Sequence, residues 1–215
     1  MNTVIDNIKF GETAIVLYPS NSYVRELLLN SALKYSRSNN VPILIDDNLD
    51  SLALVQRNLR VLGIDEDFRD VYVVKTGGKY NVGNVVARVP FHPDPRVYIQ
   101  LYAEKTSSLK IDGYLNISLG IEDLFSSLTS PHEMYVLILS IQRFLGNTRR
   151  KAIYIINEDS LRTVPKEIKF ELERLASTVI RASQDLEKVR ITILKSTNIE
   201  LIGKEFKFSM EGLLW

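Results

Sequence analysis

The chain contains no cysteine, and this excludes disulfides, thiolate catalysis and cysteine-based metal sites. It has only two histidines, His92 in "PFHPDP" and His132 at a helix start, so neither a histidine-rich metal spacing nor a serine–histidine–acid triad has support. No stretch approaches the roughly 18 uninterrupted apolar residues that span a bilayer. The opening "MNTVIDNIKFGE" lacks a basic segment followed by an apolar one, so a cytoplasmic location with no membrane partner is expected. A net charge of +1 removes any whole-protein electrostatic argument for nucleic acid. Glycine and lysine are both missing from residues 12 to 33, an absence that bears directly on phosphate chemistry.

What is present is a chain of 215 residues, 45% hydrophobic, with no internal repeat, low-complexity segment or linker-like stretch. One domain over residues 1–215 is expected. Short apolar runs, Ala14–Tyr18, Val41–Ile45, Val71–Val74, Val85–Phe91, Tyr114–Leu119 and Ala152–Ile156, alternate with segments of helical period. Residues 24–36 place Val24, Leu27, Leu28, Ala32 and Tyr35 on one face. Asp50 or Ser51 is placed to cap a helix ending at Gly63, and Asp94-Pro95 to start one running to about Leu109. Ser130-Pro131-His132-Glu133 reads as a capping box for a helix closed by Gly146, and a further helix is expected from Pro165 to Thr178. Strand–helix alternation predicts an α/β fold, a mostly parallel twisted sheet covered by helices on both faces. Around Val189–Ile193 and Phe206–Met210 the period falls to two, which predicts a C-terminal antiparallel hairpin at the sheet edge.

The order of these elements resembles the RecA-like ATPase core, in the branch containing KaiC and RadA. The resemblance is carried most by "LERLASTVIRASQDLEKVRITILKSTNIELIGKEFKFSMEGLLW" and by "VPILIDDNLDSLALVQRNLRVLGID". It covers nearly the whole chain, implies a three-layer RecA-like fold, and points to an uncharacterised group of hyperthermophilic archaeal proteins. In that family the segment "AIVLYPSNSYVRELLLNSALKYS" would carry the phosphate loop, with glycines for backbone approach, a lysine for the β/γ oxygens and a hydroxyl for magnesium. Tyr18, Tyr23, Val24 and Arg25 stand at those positions. On the strand that would end in a magnesium-holding aspartate, "GYLNISLGIEDLF" offers Asn116 and Ser118, with Glu122-Asp123 beyond it as a helix start. Lys195 matches the lysine that reaches a neighbouring subunit's nucleotide, but Thr197 replaces the arginine.

The residues left as a ligand-binding candidate are Ser20, Asn21, Ser22 and Tyr23 on the loop, with Asp46, Asp47 and Asp50 after the second strand. The simpler account makes Asp46-Asp47 turn residues, Asp50 a cap, Ser22 or Asn21 the cap of the next helix, and Tyr18 and Tyr23 fillers of an emptied nucleotide cavity. Arg149-Arg150-Lys151 is the one local basic cluster, and a solvated helix end accounts for it better than a DNA contact. The tail "EGLLW", ending in Leu213, Leu214 and Trp215, suggests docking onto its own sheet or onto another chain. These readings predict a non-catalytic RecA/KaiC-like module, suited to a regulatory role, with no ATP hydrolysis, no catalytic residue, no metal and no cofactor. It would bind a protein or peptide partner or form a homo-oligomer. The alternative is a small-ligand or nucleotide-binding protein using the phosphate-loop position.

Overall fold

The run Thr13–Tyr18 is buried along its whole length, which requires cover on both faces, and it forms the central strand β1. The computed structural model describes residues 2–214. After a short helix α1 (Asn2–Asp6) and β1, the elements are α2 (Val24–Asn39), β2 (Ile43–Asn48), α3 (Ser51–Val61), β3 (Tyr72–Thr76), β4 (Asn84–Val89) and α4 (Pro95–Thr106). There follow β5 (Tyr114–Leu119), α5 (Ile121–Ser126), α6 (Pro131–Gln142), β6 (Arg150–Asn157), α7 (Lys166–Leu175), β7 (Thr178–Asp185), β8 (Lys188–Lys195), β9 (Glu205–Ser209) and α8 (Met210–Leu214).

Among the described residues these strands make one nine-stranded sheet in the order β4-β3-β2-β5-β6-β1-β7-β8-β9. From β4 through β7 every pairing is parallel, while β8 and β9 are antiparallel additions at the edge. One face packs against α2 and α3 through residues such as Leu29, Leu33, Leu52 and Val55. The opposite face packs against α4 to α7 through Tyr98, Phe125, Ile138 and Leu172. This is the three-layer α/β arrangement expected from the alternation of runs.

Helix ends follow local chemistry. Asp94 accepts from the Arg96 amide ahead of Pro95, and Ser130 and Glu133 close a reciprocal capping box. Gly63, at φ 85°, ends α3, its N–H donating to the Arg60 carbonyl while Ile64 N–H reaches Leu59 O.

Several expectations need correction. α6 stops at Gln142, four residues before Gly146, and α7 stops at Leu175 because Thr178 already belongs to β7. Strand β7 has no apolar run to announce it: "TVIRASQD" buries its first three residues against β1 and turns polar at the free end. Asp46 and Asp47 are strand residues rather than a turn. Met210–Leu214 is helical, and α8 packs on α2 rather than extending the sheet. Trp215, and the side chains of Leu213 and Leu214, lie outside the described residues.

Candidate functional site

The loop after β1 runs from Pro19 to Tyr23 and opens into α2, the geometry of a phosphate loop. Two of its amides and two of its hydroxyls are occupied. The Ser20 amide donates to Asp159 Oδ2 at 2.8 Å, and the Tyr23 amide donates to Gln184 Oε1 at 2.9 Å. The Ser20 hydroxyl donates to Asn157 Oδ1 (3.0 Å) and the Ser22 hydroxyl turns back to the Pro19 carbonyl (2.8 Å). Neither Ser22 nor Asn21 caps α2; the cap position belongs to Tyr23, whose side chain makes no cap bond. Tyr23 is 38% exposed, whereas Tyr18 is buried.

Beneath the loop lies a cluster of charges. Arg25 Nη2 donates to Glu26 Oε1 at 3.0 Å, and the same buried oxygen accepts from Asn58 Nδ2 at 2.9 Å. Glu122 accepts the Asn157 amide through Oε1 (3.1 Å), while its Oε2 is buried without a partner. Burial pushes the Glu122 carboxyl up to about 7 and raises Asp123 as well, against the pull of Arg25. Burial likewise raises the Tyr18 phenol. Acids thus outnumber cations around the loop: Glu26 pairs with Arg25 and Asp159 with Arg162, while Glu122 and Asp123 have no cation of their own, an arrangement that does not favour a further anion.

Asp46, Asp47 and Asp50 sit elsewhere. In the sheet, β2 is separated from β1 by β5 and β6, three strand steps or about 14 Å. The loop and the acids therefore do not form one site. Asp47 and Lys75 are each 1% exposed and paired at 2.7 Å. Asp47 Oδ1 also accepts the Leu52 amide, so Asp47, not Asp50, caps α3 by side chain. Asp50, in a left-handed backbone conformation, accepts from Lys75 Nζ (2.6 Å) and from the Lys79 and Tyr80 amides. Partial burial opposes its ionisation, but these donors hold its carboxyl below the usual range. Both residues tie the β2 and β3 ends to α3.

Asp46 points to the other face. Its oxygens accept from Tyr102 Oη at 2.6 Å and Asn116 Nδ2 at 2.8 Å, and burial raises its carboxyl despite those bonds. Nearby stands Arg150, whose Nη1 donates to Asn116 Oδ1 and whose guanidinium lies 5.1 Å from the Phe144 ring centre. The basic cluster is therefore no solvated helix end. Arg150 and Lys151 begin β6 and are 6% and 7% exposed. Lys151 Nζ donates to Tyr35 Oη (3.2 Å) and the Ile5 carbonyl (3.4 Å), and only Arg149 faces solvent, paired with Asp112. Charge in the sequence reads as surface, and no local signal marks these two as buried.

At the opposite edge, Lys195 donates to the Glu173 and Arg174 carbonyls (3.1 Å each), which anchors it to the C-terminus of α7 within its own chain. His92 accepts the Asp94 amide at 3.0 Å in a local turn. Among the described residues no group of histidine, aspartate and glutamate could hold a metal ion, and no helix is long and apolar enough to cross a membrane.

Three solved structures are similar. A protein of Pyrococcus horikoshii OT3, from the structural study of PH0250, is 27% identical, with a TM-score of 0.82, covering 95% of this chain and 96% of that one. The uncharacterised protein PH0321 of Pyrococcus horikoshii, solved in complex with an unknown peptide, is 13% identical (TM-score 0.68; 99% and 93% covered). The KaiC-like protein PH0186 of Pyrococcus horikoshii OT3 is also 13% identical (TM-score 0.59; 93% and 85% covered). The last two show a shared RecA-like fold. No curated protein is significantly similar. A family model spans residues 3–207, nearly all of the nine-stranded sheet just described, and the chain belongs to that family, described as "Pyrococcus protein of unknown function, DUF257".

Proposed function

We propose that this chain is a non-catalytic RecA-like module, a single domain over residues 1–215, that binds a protein or peptide partner or assembles with itself and does not hydrolyse ATP. The observation that carries the reading is the loop after β1. Two of its amides are occupied by Asp159 and Gln184, and the nearby arginines Arg25 and Arg162 are already paired with Glu26 and Asp159. A triphosphate needs the opposite: free amides, a lysine and a metal-holding carboxylate, each typically contributing several kcal/mol to the transition state.

An interaction role is supported by the edges of the sheet. Strand β9 presents an unpaired edge, and Leu186, Ile199 and Ile202 around the β8 ends are exposed apolar residues. The related PH0321 protein was crystallised with an unknown peptide. A cytoplasmic site of action, without nucleic acid or membrane, fits the near-neutral charge. Sedimentation of the full chain, alone and with a displayed peptide library, tests the reading. Self-association or selection of a peptide is expected, and a strict monomer that selects no peptide overturns it.

A further inference from the structure

Between α4, α6 and the face of β2, β5 and β6 lies a cavity of about 90 Å³, lined by Tyr98, Tyr102, Ile141, Phe144, Tyr154 and Arg150, with Asp46 at its wall. A water needs about 10–15 Å³ by this kind of measure, so the space admits on the order of six to nine water-sized groups. Wider clefts of about 390 and 340 Å³ adjoin it, one through Ile99, Ser140 and Arg143, the other through Tyr102, Phe144 and Arg150.

Arg150 is the unusual feature. Its Nη1 is spent on Asn116, one face lies against Phe144 and the buried Tyr154 phenol interacts with the guanidinium, yet Nε and Nη2 are buried without a partner at hydrogen-bond geometry. Those two N–H groups lie on the same edge of the guanidinium, the fork that fits the two oxygens of a carboxylate. Asp46 does not supply that carboxylate: both of its oxygens are taken by Tyr102 and Asn116, and it forms no direct ion pair with Arg150. A buried guanidinium with two empty donors is costly.

We propose that this cavity is a binding site for a small organic monocarboxylate, held bidentately by Nε and Nη2 of Arg150. Its apolar or single-ring body lies among Tyr98, Tyr102 and Phe144. The single buried guanidinium fork matches one carboxylate, and the second arginine of the lining, Arg143, is shared with the adjoining cleft. A phosphate or dicarboxylate would bring a second charge against Asp46, and a ligand without an apolar body would leave the aromatic lining uncovered. A free acid and the C-terminal carboxylate of a peptide entering through an adjoining cleft share this chemistry. The site does not depend on the loss of nucleotide binding.

Calorimetric titration of the full chain with butyrate and benzoate, against the neutral benzamide, tests it. Saturable binding of an acid but not of the amide is expected. At least a tenfold weakening is expected in Arg150→Lys, which keeps the charge but loses the fork, and in Ser140→Leu, which narrows the mouth. If Arg150→Lys fails to fold, Ser140→Leu and the acid–amide comparison on the unaltered chain still decide. Equal binding of acid and amide, unchanged affinity in both variants, or no binding of any acid or peptide overturns the site and leaves a water-filled cavity. Short peptides with free and amidated C-termini distinguish the sources. Tighter binding of the free-ended peptide assigns the site to a chain terminus, and binding of the small acids alone assigns it to a metabolite.

Discussion

Asp46 and Asp47 are neighbours in β2, yet they serve opposite faces of the sheet: Asp46 accepts from Tyr102 and Asn116 beneath α4, and Asp47 pairs with Lys75 and caps α3. Strand alternation alone produces this division. One residue belongs to an open cavity and the other to a closed internal ion pair, so their removal has different consequences.

Lys75→Met leaves Asp47 buried with only the Leu52 amide and takes one donor from Asp50. Removing one partner of such a pair costs about 3–5 kcal/mol. Denaturant unfolding is expected to show a loss of that size, and the double variant Asp47→Asn/Lys75→Met a smaller loss than the sum of the singles. A loss under about 1 kcal/mol in Lys75→Met, the level of a surface pair, would show that the ion pair does not matter to the fold.

Glu122 binds its proton more tightly folded than unfolded, since burial moves its carboxyl from 4.5 to about 7. The native state then holds more protons across that window, and stability falls as pH rises from about 4.5 to 7. The full penalty is on the order of 3 kcal/mol above pH 7. Glu122→Gln keeps an acceptor for the Asn157 amide and removes the titration. The variant is expected to match the parent at pH 4 and exceed its stability at pH 8. Parallel pH–stability profiles for the two proteins would refute the assignment.

Gly120 joins β5 to α5 at φ 72°, where an added Cβ would lie 2.2 Å from Ser51 Oγ and 2.6 Å from the Asn48 carbonyl oxygen. The hydroxyl can rotate away, but the backbone oxygen cannot. Gly120→Ala is expected to cost about 2 kcal/mol or more, from strain and clash together. Gly113→Ala, at φ 62° with open space around it, is expected to cost less. Thermal unfolding of the two variants side by side gives the comparison, and equal melting temperatures would contradict it.

Much of the architecture was legible because period and capping are local. The apolar runs marked β1 to β6, Asp94-Pro95 and the Ser130–Glu133 box marked helix starts, and alternation marked the β8–β9 hairpin. The failures concern partners distant in sequence. "IDDN" reads as a turn until Lys75 and Tyr102 are placed beside it, and "RRK" reads as surface until Asn116, Phe144 and Tyr35 enclose it. Strand β7 was legible through the family resemblance alone, because only its first half is buried and no apolar run marks it. Arg150 was visible as a basic residue, but its unfilled fork appears only in three dimensions.

The central claim is that the loop after β1 cannot hold a nucleotide. Calorimetric titration of the full chain with Mg-ATP and Mg-ADP, run with a thermal-shift scan, tests it most directly. No heat of binding and no shift in melting temperature are the predicted results, because the Ser20 and Tyr23 amides are already bonded and Arg25 is already paired with Glu26. Saturable heat accompanied by stabilisation, lost when Arg25 is replaced by alanine, would contradict the claim and return the loop to nucleotide chemistry.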